Sequence, residues 1–457
     1  MSLFNNAIIG ASGQGGYRIS RSVRLRSSAS AYFNRAFTTP TSQQKGTFSF
    51  WLKRGVLGAR NNLFSNDNGT QYGFFEFDAN NKLNFADPYS AGACSLVTTQ
   101  VFRDPSAWYH IIIAFDTTQA TSTNRAKFYV NGVQITSFDT ATYPSQNANL
   151  YVLQAASAVQ IAAFTRNGTP TLDGYLTEYN FIDGQALTPT SFGETNSQTG
   201  VWQPKRYAGT YGTNGFYLNF SDNSGVTATT IGKDYSGNGN NWTPNNISIT
   251  AGATYDSMLD VPTPYADGGN GRGNYAVLNP LNKDPSQTTS DGNLTYTGSA
   301  SLYGKVNATI GMTSGKWYWE GTLTGGGGPS FATTIGIATS QSPLNTSPGD
   351  GGDAYGWGYY SQTGNKYNNG TSTAYGATYT SNDVIGVAFD ADAGTLTFYK
   401  NGTTQGTAYT GLTSGPYFPS VGDFATTSYP IWAFNFGQRP FTYTPPTGFV
   451  ALNTYNL

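Results

Sequence analysis

Two stretches of this chain are nearly the same phrase. Residues 114–132 read AFDTTQATSTNRAKFYVNG and residues 388–402 read AFDADAGTLTFYKNG, beginning 274 positions apart. Each runs Ala-Phe-Asp, a polar spacer, then Phe-Tyr-X-Asn-Gly. Asn-Gly between two strand-like runs signals a hairpin with a two-residue turn, because both turn residues need positive φ. Just ahead, WYHIIIAF (108–115) is an almost unbroken apolar run, which predicts a central strand covered on both faces. Strands at 126–130 and 133–138 are expected to flank Asn131-Gly132. In the second copy, strands at 384–389 and 395–399 lead to a turn at Asn401-Gly402. One supersecondary unit repeated at this distance predicts two separate sandwiches and excludes a short-period solenoid.

Composition supports that reading. A length of 457 residues is enough for about two to four domains. Only 11% of residues are charged, against about 25% in an average soluble domain. Gly, Ser, Thr, Asn and 32 Tyr take their place, and aromatic residues with turn formers favour an all-β chain. Elsewhere the pattern has period two, broken about every 8–12 residues by turn formers, as in sandwiches and barrels. The clearest helical start is Leu187-Thr188-Pro189, with Thr188 placed to cap and Pro189 at the first helical position. A net charge of −1 removes the field a general nucleic-acid binder uses. The single cysteine, Cys94, allows neither an intrachain disulfide nor a cysteine-based zinc site. The opening MSLFNNAIIGASGQGG lacks the basic region of a secretory signal. No window approaches about 18 apolar residues, so membrane insertion by a helix is not expected.

Several ordered motifs carry a resemblance. FSFWLK (48–53), FFEFD (74–78), the Trp108 strand, the Asn131-Gly132 hairpin and DGYLTEY (173–179) resemble the laminin-G-like branch of the concanavalin A-like jelly roll. SGKWYWE (314–320), IGIA (335–338), YGWGYY (355–360) and DVIGVAFD (383–390) resemble a SPRY domain, with Asn382-Asp383 where that family has Gly-Asp. Between them lie GFYLNF (215–220) and KDYSGNGNNW (233–242), whose Phe216, Leu218 and Trp242 need burial. The expected organisation is an N-terminal arm over 1–16, a laminin-G-like jelly roll over 17–192 and a middle connector with a few strands over 193–285. A SPRY-like sandwich over 286–440 and a tail over 441–457 packed on it complete the chain. The expected fold class is thus all-β, two concanavalin A-like jelly-roll β-sandwiches joined by a mostly irregular middle.

Catalytic chemistry finds little material. Glucanases of this jelly-roll type need Glu-x-Asp-x-x-Glu to supply a nucleophile and an acid. Here Glu76-Phe-Asp78 is followed by Asn81, and a carboxamide cannot donate that proton. The four glutamates, 76, 178, 194 and 320, stand apart. His110, the sole histidine, alternates along its strand as a half-buried structural residue would, and no Gly-x-Ser-x-Gly elbow accompanies it. Asp390-Ala-Asp392-Ala-Gly394 opens like a calcium loop, but the twelfth position is Asn401 where Glu is needed. These residues therefore read as turn chemistry. No cofactor is required by any motif. The laminin-G-like resemblance implies a structural Ca²⁺ held by Asp and backbone carbonyls, with Asp67, Asp87 and Asp116 as candidates. No spacing selects among them, so the metal set stays undefined.

Recognition is the better use of these residues. Residues 343–383 are dense in Tyr, Gly, Ser and Asn, which combine rigid aromatic faces with adaptable hydrogen bonding. Tyr355, Trp357 and Tyr359 alternate with Gly and are expected to share a core-facing side. Tyr360, Tyr367, Asn368 and Asn369 are the candidate ligand-binding residues. In the densest basic cluster, Ile19, Val23 and Leu25 are expected to point inward, with Arg18, Arg24 and Arg26 on the wet face. Ile8, Ile9, Arg18 and Arg21 are the candidates for docking onto another protein.

The order laminin-G-like sandwich, GKDYSGNGNNWTPNN, and SPRY-like sandwich ending in NFGQRP (435–440) resembles virion proteins of tailed bacteriophages, those of marine bacteria and cyanobacteria above all. That resemblance implies a non-enzymatic tail-fibre or head-fibre adhesin assembled onto particles in the host cytoplasm and released by lysis. Its arm would meet other virion proteins, and its loops a host polysaccharide or envelope protein. A homo-oligomer is expected, with a trimer favoured by the resemblance. A purely structural capsid or tail decoration protein is the alternative, and a polysaccharide depolymerase a third.

Overall fold

The structure, a computed structural model, describes residues 17–90, 93–164, 166, 172–299, 303–326, 332–424 and 429–457. It is all-β. Among these residues the helical elements are single 3-10 turns such as Pro189–Ser191, which begins with Pro189 as its sequence predicts. The chain divides into two compact units, residues 1–249 with 256–265, and residues 250–255 with 266–457.

In the first unit two eight-stranded antiparallel sheets face each other. One runs Val133–Ile135, Ala126–Val130, Trp108–Asp116, Lys45–Arg54, Gly174–Asp183, Ser22–Leu25 and Ser257–Met258, with Phe216–Leu218 also pairing to Gly174–Asp183. The other runs Phe138–Thr142, Cys94–Val101, Lys82–Asp87, Tyr72–Phe77, Asn61–Asp67, Ala156–Ile161, Tyr32–Phe37 and Thr243–Asn245. Ile111, Ile113 and Phe115 enter the core between the sheets. Ile112 and Ala114 point the other way, into a second cluster with Ile182, Phe192, Tyr211 and Tyr217. The apolar run is therefore covered on both faces, and its outer cover comes from residues 187–235.

Residues 193–249 and 256–265, placed by sequence in the connector, thus belong to the first unit, where they add strands to both sheets and a third layer over one of them. Phe216 and Trp242 reach through to the main core, their rings 4.7 Å apart. Asp234 closes the GKDYSGNGNN loop. It accepts from the Tyr217 amide (2.8 Å), the Ser236 amide and hydroxyl (2.8 and 2.7 Å) and the Asn240 amide (2.8 Å).

This layer overturns one expectation. Arg24 does not lie on a wet face: it is 1% exposed. Its alternation with Val23 and Leu25 is as read, but the outward side is roofed by residues 256–260. Arg24 and Arg26 both pair with Asp256, at 3.0 and 2.9 Å. Two strands along, Lys53 pairs with Asp260 at 2.8 Å with neither side chain exposed, and the Trp108 indole donates to the same carboxylate at 3.0 Å.

The second unit repeats the two-sheet plan. A seven-stranded sheet runs Leu278–Lys283, Gly304–Ala308, Phe418–Asp423, Thr333–Ala338, Gly356–Tyr360, Lys366–Asn368 and Thr371–Thr373. The facing sheet runs Thr288–Ser290, Thr295–Thr297, Pro430–Asn435, Lys316–Gly326, Val384–Asp390, Thr395–Lys400 and Thr403–Tyr409. From the tail, Val450–Ala451 adds in parallel to Lys316–Gly326.

The repeated phrase folds the same way in both units. Asn131 and Gly132 have φ of 49° and 83°, and Asn401 and Gly402 have 49° and 79°. Each asparagine also locks its hairpin to the neighbouring strand. Asn131 Oδ1 accepts from the His110 amide at 2.8 Å, and Asn401 Oδ1 from the Val384 amide at 2.8 Å. An aromatic ring, Trp202 or Tyr443, lies against each turn glycine.

Candidate functional site: an aromatic surface on the second unit

The hairpin Lys366–Asn368 and Thr371–Thr373 forms the edge of the seven-stranded sheet, turning at Asn369 and Gly370 with φ of 52° and 69°. Beside it four aromatic rings meet. Phe424 lies 4.7 Å from Tyr360, 6.0 Å from Tyr367 and 5.7 Å from Tyr303, and Tyr360 lies 5.3 Å from Tyr367. Tyr303 is 44% exposed, while Tyr367 and Phe424 are half-buried. Sequence reasoning brought Tyr360 and Tyr367 together but missed Tyr303 and Phe424. Neither carries a periodic signal, because each sits just outside its strand.

Tyr360 departs from expectation. It is 8% exposed, since Phe424 and Tyr367 cover its ring, and its hydroxyl donates to Gln362 Oε1 at 2.6 Å. Burial pushes its phenol up to about 12. Tyr360 is the floor of the surface, and Tyr303 and Tyr367 are its more exposed rings. Asn368 turns its amide inward to the Gly356 carbonyl (2.8 Å), whereas Asn369 is exposed at the turn. Of the three aromatics expected to share a core side, Tyr359 is fully buried and Trp357 half-buried, packed on Tyr417 at 5.5 Å. Tyr355 is instead 45% exposed, because it precedes the strand that starts at Gly356.

A buried brace fixes the loop beneath the hairpin. Lys305 donates to Asp353 Oδ2 at 2.8 Å, both side chains being fully buried, and Ser342 Oγ donates to the same oxygen at 2.5 Å. Burial pushes the Lys305 ammonium down, and Asp353 opposes that. The Asp353 carbonyl accepts from the Asn369 amide (2.9 Å), and the Gly349 carbonyl from the Gly370 amide (3.0 Å). The loop and hairpin are thus fixed in place by hydrogen bonds and a buried ion pair.

The other candidates are committed to structure. Glu76 is held by Arg60 through bonds of 2.9–3.1 Å, and Asn81 lies in a turn at φ 63°, off that strand. His110 is more deeply placed than expected, 1% exposed between Trp51, whose ring stacks at 4.8 Å, and Trp202. Trp202 Nε1 donates to its Nδ1 at 2.8 Å, so the ring proton is on Nε2, which donates to Ser49 Oγ at 2.9 Å. Burial drives its pKa down to about 3. Asp390 closes a turn on the amides of Asp392 and Ala393 and pairs with Lys316.

Asp67 pairs with Arg166, Asp116 caps Thr118 and Gln119, and Asp87 accepts from the Val152 amide. Among the described residues, no group of three or more His, Cys, Asp or Glu is arranged to hold a metal ion. Arg18 stacks over Tyr265 at 5.3 Å and Arg21 donates to Ser257 at 3.3 Å. Ile8 and Ile9 lie outside the described residues.

Three buried carboxyls, Asp87, Glu178 and Asp423, are each pushed up to about 7 by burial. Between about pH 4 and 7 the folded protein keeps protons that the unfolded chain has released, so stability falls as pH rises through that window. Each group contributes on the order of 3 kcal/mol. The urea midpoint is expected to be lower at pH 8 than at pH 5.5, with Asp423→Asn narrowing the difference. A midpoint that is flat across this range would contradict it.

Residues 26–191 match the concanavalin A-like lectin/glucanases superfamily, and residues 316–439 match the SPRY domain. The chain therefore carries a laminin-G-like, concanavalin A-like domain followed by a SPRY domain. Over 141 residues it is 33% identical to Ran-binding protein 10 of Danio rerio, covering 30% of this chain and 22% of that protein. A 141-residue match to Ran-binding protein 9 of Homo sapiens is also 33% identical, covering 30% of this chain and 18% of the relative. The chain thus spans less than a quarter of the length of these curated relatives. Among solved structures, the SPRY domain of human HERC1 is similar at 21% identity and a TM-score of 0.32, covering 36% of this chain and 99% of that one. A human SPRY domain is similar at 20% identity and a TM-score of 0.27, covering 33% and 96%.

Proposed function

We propose that this is a non-enzymatic recognition protein whose SPRY domain presents the Tyr303–Tyr367–Phe424 surface to a ligand. The observation that carries the reading is this half-exposed aromatic group set beside a braced, Asn- and Gly-rich hairpin. Exposed tyrosine faces stack on the C–H patches of sugar rings, and neighbouring amides and hydroxyls meet their polar edges. We take the ligand to be a host-surface glycan. The full reading is a tailed-phage virion adhesin, a homo-oligomer assembled on particles in the host cytoplasm, with the arm over residues 1–16 meeting other virion proteins. Its resemblance to phage virion proteins and its GKDYSGNGNNWTPNN connector support that reading. The catalytic candidates Glu76 and His110 are occupied by Arg60 and Trp202, which favours binding over hydrolysis.

A protein ligand is the second reading, favoured by the match to proteins named for binding Ran. The test is capture of the purified chain by intact bacteria, with and without removal of surface polysaccharide. Binding that is lost on stripping, and reduced at least tenfold by Tyr303→Ala with Tyr367→Ala, is expected. Binding that survives stripping assigns a protein ligand. A folded protein that binds no cell points instead to a structural decoration protein.

A further inference from the structure

Glu178 occupies an irregular point in the strand Gly174–Asp183. Pairing with Lys45–Arg54 shifts register between Thr177 and Asn180. Leu176 and Tyr179 both enter the inter-sheet core, leaving two residues where strict alternation allows one. Glu178 has φ of 53°, a left-handed backbone that costs a non-glycine residue on the order of 1–3 kcal/mol and recurs at switch points.

Its buried carboxylate accepts from the Tyr217 hydroxyl, 2.8 Å from each oxygen. That hydroxyl lies 2.5 Å from the hydroxyl of Tyr17. The Arg206 guanidinium sits 4.6 Å over the Tyr217 ring. Among the described residues, other ionisable groups nearby are Tyr211, whose hydroxyl donates to Asn180 (3.1 Å), and Asp234, which accepts from the Tyr217 amide (2.8 Å).

Residues 17–21 lie along this face. Tyr265 donates to the Ile19 carbonyl at 2.8 Å, and Thr177 donates to the Arg21 carbonyl at 2.8 Å. An ionised carboxylate only accepts. It therefore draws the Tyr217 proton toward itself and leaves the Tyr217 oxygen free to accept from Tyr17, each bond polarising the next. A protonated carboxyl adds its own O–H as a competing donor to that oxygen and removes the charge at the end of the chain.

We propose that the Tyr17–Tyr217–Glu178 relay is a proton-controlled clasp on residues 17–21, tight when Glu178 is ionised and slack when it is protonated. Arg206 favours the tight state by its charge. Burial places the Glu178 transition at about 7, whereas His110, held at about 3, contributes nothing near neutrality.

The test uses the full chain with a nitroxide at Ser20→Cys. Cys94 is buried, so the label goes to position 20. An immobilised spectrum at pH 8.5 and a mobile component at pH 5.5 are expected, with a midpoint within about one unit of 7. Glu178→Gln should abolish the pH dependence. Tyr17→Phe, at a half-buried position, leaves the core intact and should be mobile at both pH values. A spectrum independent of pH in the folded protein, or a Tyr17→Phe chain with the original pH response, overturns the proposal.

Discussion

A chain that stops at residue 192 is expected to be unfolded, while one running from 17 to 265 folds. The cut falls where the sequence places the end of the first jelly roll, and every strand of both facing sheets up to Gly174–Asp183 survives it. What it removes is Phe216, Leu218, Phe220, Ile231, Trp242 and Ile247 from the main core. At about 1.5–3 kcal/mol for each large apolar side chain buried, that loss rivals the roughly 5–15 kcal/mol that holds a whole domain together. The cut also uncovers Ile112 and Ala114 and leaves Arg24 and Lys53 without Asp256 and Asp260. Circular dichroism and dye binding of the two fragments decide the matter. A cooperative unfolding transition in the 17–192 fragment would show that the third layer is dispensable.

Asp260→Ala is expected to cost about 3–5 kcal/mol, because removing one partner strands Lys53 in a site closed to water. The Trp108 indole loses its acceptor in the same step. Replacing both members, Lys53→Met with Asp260→Leu, should recover most of that loss, since apolar side chains of similar size suit a dry site as well as an ion pair does. Urea unfolding of the single and double variants measures the difference. If the double variant is as unstable as Asp260→Ala, the packing of residues 256–260, and not the stranded charge, sets the cost.

Much of this fold is legible in sequence because its signals are short. The two Asn-Gly turns, the apolar run ending in Phe115 and the Pro189 start of the short helical turn are each decided within a few residues and form as read, although the Thr188 side chain makes no capping hydrogen bond. What the sequence hides is decided at long range. Arg24 looks like a solvent-facing residue until Asp256 arrives from 232 positions away. Tyr360 looks like a loop tyrosine until Phe424, 64 residues on, covers it. His110 is an ordinary strand histidine until Trp202 closes over it. Periodicity tells which side of a strand a residue occupies, but it carries no information on whether that side will be roofed. For the same reason Tyr367 could be proposed from its local composition, and its neighbours Tyr303 and Phe424 could not.

The roof over the first sheet also sets an order of events during synthesis. At roughly 5–20 residues per second, the partners of Arg24 and Ser22, 232 and 238 residues downstream, leave the ribosome some tens of seconds after them. Until then the half-made sandwich shows its outer sheet face to solvent. A wholly apolar face would be a template for aggregation over that interval. Arg24, Lys53 and His110 keep it hydrated, and Arg24 and Lys53 become the seats on which residues 256–260 settle.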